Sequence, residues 1–296
     1  MTAVPVSLGV GPTSAATSTA PAGASSLADA AAEARRRAAE REMSRARRNA
    51  RVDGRERRRR SDVELSQIAE RGRRELGGSG PGSTDEATAE EVIAWAVAEF
   101  GDSLAVASSM TDSVLAALVS AQLPWVDVLF GETGYHFAET IGTRDAVAHS
   151  LDVTVVDVRP LLSVAEQDDA YGPDLFARDP EACCRMRKVE PMRRVLSGYE
   201  AWATGVRRAD SASRATAELV SWDASNNLVK INPIAGWSDD QLVGYALRHG
   251  LTVNPLLNDG YPSIGCEPCT RRVGPGEDAR AGRWAGADKS ECGLHI

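Results

Sequence analysis

Lysine is almost missing from this 296-residue chain: only Lys188, Lys230 and Lys289 occur. A long apolar run is missing too. No stretch of about 18 apolar residues appears, which excludes a membrane-spanning helix. The N-terminus lacks the basic region and apolar core of a secretory signal. Without that signal, the five cysteines read as metal ligands or reactive thiols in a reducing cytosol, not as disulfides, and a cytoplasmic protein is expected. No internal repeat is visible. A hydrophobic content of 43% is ordinary for a soluble chain, and the length admits one large or two modest domains.

The net charge of −8 hides an asymmetry. Residues 31–60 hold 13 Arg against 5 acidic residues, a balance of +8, which leaves −16 on the remainder. So acidic a body is a poor general binder of nucleic acid, and none is expected as a partner. Residues 1–30 are Ala, Ser, Thr, Pro and Gly with almost no large apolar side chain, a composition that predicts disorder. Residues 31–76 are rich in Ala, Arg and Glu, including Arg35-Arg36-Arg37 and the arginines at 57–60. They read as a solvated helix without an apolar stripe to dock, an inert extension in preference to a nucleic-acid arm or transit peptide. Gly77-Gly78-Ser79-Gly80-Pro81-Gly82 reads as a linker. The expected division is therefore an extension over 1–82 and a catalytic domain over 83–296.

Past the linker, Ser83 or Thr84 is placed to cap a helix with Val92, Ile93, Trp95, Ala96 and Phe100 on one side. Short apolar strands at 104–107, 126–130, 153–158 and 202–206 then alternate with helices at 112–121 and 138–149. That order implies an α/β fold with a doubly wound, mostly parallel sheet covered on both faces. Segments 219–222 and 228–231, joined across Asn226-Asn227, suggest an edge hairpin. Ser238 and Gln241 form a capping box for a helix that stops at Gly250. Little regular structure is expected after Gly260, which leaves an irregular C-terminal tail.

The cysteines fall as a pair, Cys183-Cys184, a spaced pair, Cys266-Glu267-Pro268-Cys269, and a single, Cys292. Four thiolates complete one metal centre and leave the fifth on the tail, beside basic residues, as a candidate nucleophile. Zinc and iron–sulfur both take four cysteines. Adjacent cysteines strain a single ion because their side chains diverge. A 4Fe–4S cube offers each a different iron.

In such a sheet, ligands sit beyond the C-terminal strand ends. The first of these turns, Ser108-Ser109-Met110-Thr111-Asp112-Ser113, resembles the Ser-Gly-Gly-x-Asp-Ser pyrophosphate loop of the PP-loop ATPases with both glycines replaced. Their loss argues against ATP cleavage, because glycines let backbone N–H groups close round a pyrophosphate. The Ser108 and Ser109 hydroxyls remain as donors to an oxyanion. Gly131-Glu132-Thr133-Gly134 with Ala138-Glu139-Thr140 resembles the Asp-Thr-Gly…Pro-Glu-Thr element of the adenylyl-sulfate and phosphoadenylyl-sulfate reductases. Thr204-Gly205-Val206-Arg207-Arg208 resembles their Thr-Gly-x-Arg-Arg strand end. There Gly205 would admit the nucleoside, while Arg207 and Arg208 offer anion donors or surface salt bridges.

Over residues 84–296 the likeness is closest to the assimilatory adenylyl-sulfate reductases, with an adenine nucleotide alpha-hydrolase-like fold. It rests on Cys183-Cys184-Arg185-Met186-Arg187-Lys188, on Tyr261-Pro262-Ser263-Ile264-Gly265-Cys266-Glu267-Pro268-Cys269 and on Glu291-Cys292-Gly293-Leu294-His295. The resemblance implies one 4Fe–4S cluster per chain on Cys183, Cys184, Cys266 and Cys269. It also implies substrate contacts from Ser108, Ser109, Thr133, Gly134, Lys188, Gly205, Arg207, Arg208, Arg280, Arg283 and His295, with Cys292 as nucleophile. Lys188, four residues after Cys184 on a predicted helix, would face the same side as that cysteine. The implied activity is reduction of adenosine 5′-phosphosulfate to sulfite and AMP through an S-sulfocysteine, with thioredoxin or a similar dithiol as donor, in sulfate assimilation and cysteine biosynthesis. Because the chain ends at Ile296, without the thioredoxin-like domain of some relatives, a separate reductant is expected. The oligomeric state is left open, a homo-oligomer included. The rivals are a phosphoadenylyl-sulfate reductase, a PP-loop ligase or tRNA-thiolating enzyme, and an iron–sulfur or zinc regulator using its Arg-rich arm.

Overall fold

The computed structural model describes residues 27–52, 59–285, 289, 291, 293 and 294. Of the low-complexity run, residues 1–26 lie outside them, as do Cys292 and His295. The chain divides into two units, residues 1–38 and 39–296.

Six strands form one sheet: β1 (Leu104–Ser108), β2 (Val126–Gly131), β3 (Val153–Val158), β4 (Ala201–Thr204), β5 (Val220–Asp223) and β6 (Leu228–Ile231). Their order is β3-β2-β1-β4-β6-β5, and every pairing is parallel except β5 with β6. The central strands are nearly continuous apolar runs because helices cover both faces. Val106 pairs with Val128 on one side and with Ala203 on the other. Trp202 and Phe130 are wholly buried. From β1 the chain winds outward through β2 and β3, then returns to place β4 on the other side of β1. That reversal opens a crevice at the C-terminal ends of β1 and β4, where α/β sheets bind ligands.

The helices are α1 (Leu27–Val52), α2 (Asp62–Leu76), α3 (Ala89–Phe100), α4 (Val114–Ser120), α5 (Ala138–Ser150), α6 (Val164–Tyr171), α7 (Leu175–Arg178), α8 (Pro180–Cys184), α9 (Glu190–Leu196) and α10 (Asp239–Arg248). In the first unit, Arg36 pairs with Glu33 one turn earlier at 2.6 Å. In the second, Trp125 Nε1 donates to Glu40 at 3.1 Å, and Arg41 lies over the Trp125 ring.

The expectation that residues 31–76 have nothing to dock is corrected. Helix α2 buries Leu65, Ile68, Ala69 and Leu76 in the main core and packs on β5 and β6. The apolar positions 65, 68, 69, 72 and 76 do repeat at helical spacing, but the dense arginines between them mask the pattern. Arg60, at the end of the basic run, is an anchor: its main chain and guanidinium donate to buried Glu200 at 2.7–3.0 Å. The glycine segment is a pinned turn. Ser79 donates to Asp85 through N–H and hydroxyl, and Gly82 N–H donates to Glu86.

Helix α3 is capped by Thr88 with Glu91 in a capping box, not by Ser83 or Thr84. The remaining strands and the Ser238–Gln241 capping box stand within a few residues of their expected places.

Candidate active site

The turns after β1, β2 and β4 meet at one edge of the sheet because these strands are adjacent and parallel. In the first turn, Ser108 Oγ accepts from Met110 N–H at 3.1 Å, and the Ser109 and Thr111 hydroxyls lie 3.1 Å apart. Asp112 Oδ1 caps α4 by accepting from Val114 N–H, and burial pushes its carboxyl upward. Met110 occupies the second glycine's position and keeps a left-handed backbone, φ +58°, with its side chain fully buried. The tight turn that glycine normally supplies therefore survives its replacement.

The second turn is built round Thr133, which has no exposed surface. Its hydroxyl accepts from Tyr135 N–H at 3.2 Å and lies 3.3 Å from Cys266 Sγ. Gly134 has φ +78°, and a Cβ there would meet Val164 and Arg187 at 2.9–3.1 Å, so glycine is required. His136 Nε2 lies 2.8 Å from the Gly131 carbonyl, and burial holds its pKa below the ordinary histidine value.

Cys183 and Cys184 close helix α8, whose start is capped by Asp179. The helix continues through one π turn, Arg185–Val189, before α9. Across that π turn Cys184 and Lys188 line one cavity. Cys183, Cys184, Cys266 and Cys269 all face this cavity, with Lys188, Arg187, Tyr135 and Trp284 among its other walls. Glu267 N–H donates to the Tyr135 carbonyl at 2.8 Å, and Trp284 N–H to Cys269 at 2.9 Å, which fixes the second cysteine pair against the β2 turn.

Burial, then the neighbouring thiols, push the Cys183 thiol up to about 12. The same causes raise Cys269 to about 11, opposed by Lys188 and Arg283. Four ionised sulfurs here need a compensating cationic centre. Among the described residues, no three His, Cys, Asp or Glu side chains are arranged to hold a single metal ion.

The predicted anion donors divide. Arg280 and Arg283 converge on Ser263 Oγ at 3.5 and 3.2 Å. Arg207 pairs with Asp210 and Asp239, while its Nη1 is buried without a hydrogen-bond partner. Arg208 grips Glu86 with two bonds of 2.6–2.7 Å and donates to the Ala217 carbonyl. That salt bridge commits it to tying β4's end to the start of α3. A Cβ on Gly205 would meet nothing within 4 Å, so the strand end is open.

Several residues of the site carry no assigned role in the sequence reading. Arg187 is buried, donates to Gln167 at 3.0 Å and lies over Tyr135, propping the second turn from the cysteine helix. Its signal was the Cys-Cys-Arg-Met-Arg-Lys run itself. Buried Asn254 ties the β1 turn to the first turn of α5 by donating to the Met110 carbonyl and the Thr140 hydroxyl, both at 3.1 Å. Asn254-Pro255 announces only a turn. Arg214 binds Glu291 at 3.0–3.1 Å, a contact across 77 residues that no local pattern announces.

The family model for the phosphoadenosine phosphosulfate reductase domain matches residues 103–272. The adenosine 5′-phosphosulfate reductases of Streptomyces coelicolor and Mycolicibacterium smegmatis are 55% and 54% identical over 236 residues, covering 80% of this chain and 97% of each relative. That of Mycobacterium tuberculosis is 47% identical over 249 residues, covering 78% and 98%. Among solved structures, the phosphoadenylyl-sulfate reductase of Candida auris in a phosphate complex is similar at 27% identity and TM-score 0.55, covering 63% of this chain and 91% of that one. A parallel sheet with its switch point at β1 and β4, the turns beyond it and the extent of these matches lead to one assignment: the chain belongs to the adenylyl-sulfate and phosphoadenylyl-sulfate reductase family, oxidoreductases acting on sulfur.

Proposed function

We propose that this protein reduces adenosine 5′-phosphosulfate to sulfite and AMP, using thioredoxin or a similar dithiol, in cytoplasmic sulfate assimilation. The observation that carries this reading is the single cavity lined by Cys183, Cys184, Cys266, Cys269 and Lys188, walled by Tyr135 of the β2 turn. The donor set fits a 4Fe–4S cluster. Four thiols range round one space, and the adjacent Cys183 and Cys184 suit a cube that offers each a different iron. When bound, the cluster supplies charge balance to the four thiolates and a fixed field beside Lys188.

The chain's own residues carry the rest. Ser108, Ser109, Thr133, Gly134, Gly205 and Arg207 surround the open ends of β1, β2 and β4, where the nucleotide would lie. Arg280 and Arg283, joined through Ser263, and Lys188 present forked and point-charge donors to the phosphosulfate. His295 completes that donor set in this reading. The Cys292 thiolate attacks the sulfate sulfur, forming an S–S bond as the S–O bond to phosphate breaks, and AMP leaves with that electron pair. A dithiol thiolate then attacks Cys292 Sγ and expels sulfite. Its second thiol resolves the mixed disulfide, so the dithiol is oxidised by two electrons and the Cys292 thiol returns.

The test is an anaerobic assay of purified protein with adenylyl sulfate or its 3′-phosphorylated form, following sulfite and AMP. Without reductant, the protein should gain one SO3 group on the peptide containing Cys292. Cys292→Ser should retain the cluster's visible absorption yet release no sulfite, whereas Cys183→Ser should lose both. Turnover by Cys292→Ser, or added mass on another cysteine, would sink the assignment. Preference for the 3′-phosphorylated substrate would favour the phosphoadenylyl-sulfate reading.

A further inference from the structure

The C-terminal segment is held at two charged points two residues apart. Lys289, its side chain only 3% exposed, pairs with Glu181 on α8 and lies 5.5 Å from the Trp284 ring centre. Glu291 is gripped more firmly. Arg214 donates to both of its oxygens, from Nε at 3.1 Å and Nη2 at 3.0 Å, and Arg280 Nη2 donates at 3.1 Å. All three side chains are 12–16% exposed, so the contact is shielded from water and salt. Arg214 is itself braced by Asp210 at 3.1 Å, and Asp210 by Arg207 at the end of β4. The chain of charges thus runs from the sheet to the residue next to Cys292.

We propose that Arg214 and Arg280 form a docking clamp for the C-terminal segment, with Glu291 as its anchor, which makes Arg214 a positioning residue for Cys292. A carboxylate beside the nucleophile looks unfavourable in sequence, since its charge opposes a thiolate. Two guanidiniums compensate that charge and convert it into a fixed attachment point with forked geometry. The value of positioning Cys292 rests on the reaction proposed above. The docking itself does not.

Iodoacetamide labelling of the intact folded protein, quenched at intervals and mapped by peptide, measures the exposure of Cys292 directly. Docking and local electrostatics predict different signs. Removing Arg214's charge would slow labelling if only the thiol's ionisation changed, and removing Glu291's charge would speed it. Loss of docking speeds both. Arg214→Met and Glu291→Gln should therefore each raise the Cys292 labelling rate about tenfold, the scale of one charge-assisted contact. The double variant should label no faster than either single, because both break one clamp. Labelling of Cys269 and the thermal midpoint should stay near wild type, separating undocking from general unfolding.

Slower or unchanged labelling in Arg214→Met overturns the clamp, as does multiplication of the two effects in the double variant. A protein that labels as expected yet makes no sulfite from either nucleotide keeps the clamp and loses the proposed function.

Discussion

Thr133 Oγ1 lies 3.3 Å from Cys266 Sγ, which joins the β2 turn to a cysteine 133 residues away. The same hydroxyl accepts from Tyr135 N–H, so one buried group organises both the β2 turn and a thiol. Thr133→Ser keeps both bonds. Thr133→Val removes both and leaves the Tyr135 N–H without that partner, at a cost of about 1–3 kcal/mol. On the proposed cluster, the valine variant should lose visible absorption faster in air, while the serine variant stays close to wild type. Equal decay in both would show that the hydroxyl has no hold on Cys266.

The strands of the sheet were legible in sequence because their apolar runs are short and separated by turn residues, and β3 falls at its expected limits. The four cysteines that line one cavity stood out in the sequence because adjacent and spaced pairs are rare. Other features were hidden for physical reasons. The apolar stripe of α2 is interleaved with arginines that pair on its outer face, such as Arg73 with Glu70, and composition alone reads that as solvated. The clamp on Glu291 and the ties of Asn254 are long-range contacts, which leave no periodicity.

Helix α2 has a direct consequence for truncation. Deleting residues 1–76 uncovers β5 and removes Leu65, Ile68 and Leu76 from the core, each worth about 1.5–3 kcal/mol. It also strips Arg60 from buried Glu200. The thermal midpoint should fall by about 10 °C or more. Arg60→Ala in the full chain should lower it by a smaller step. A truncated protein that melts like the full chain would show that α2 adds nothing to the fold.

His136 gives the stability a pH dependence of predictable sign. Burial lowers its pKa, reinforced by Lys188 and Arg144 and opposed by the Gly131 carbonyl and Glu132. A base with a depressed folded pKa binds its proton more weakly when folded. Its contribution is therefore complete above the unfolded value of 6.5 and is lost as pH falls from there toward the folded pKa. Urea midpoints measured from pH 7.5 to 5.5 should decline, and His136→Gln should flatten that decline by at most about 1.4 kcal/mol per pH unit. Parallel profiles would assign the acid sensitivity to other groups.

Met110 tests whether side-chain burial offsets the strain of the left-handed backbone in the β1 turn. Its φ is +58°, a region that costs a non-glycine residue about 1–2 kcal/mol, and the structure holds it there through Ser108 Oγ on its N–H and Asn254 on its carbonyl. The side chain, fully buried among the core residues, offsets that strain. Met110→Ala forfeits the burial and keeps the strain, so it should destabilise by about 2–5 kcal/mol. Met110→Gly forfeits slightly more burial but relieves the strain, and should be more stable than the alanine variant by about 1 kcal/mol. In ordinary buried positions the order is reversed, because glycine loses more entropy on folding. Urea denaturation of both variants reads this order directly. If alanine proves equal or better, the turn relaxes away from its left-handed conformation once the methionine is gone, and burial alone was holding it.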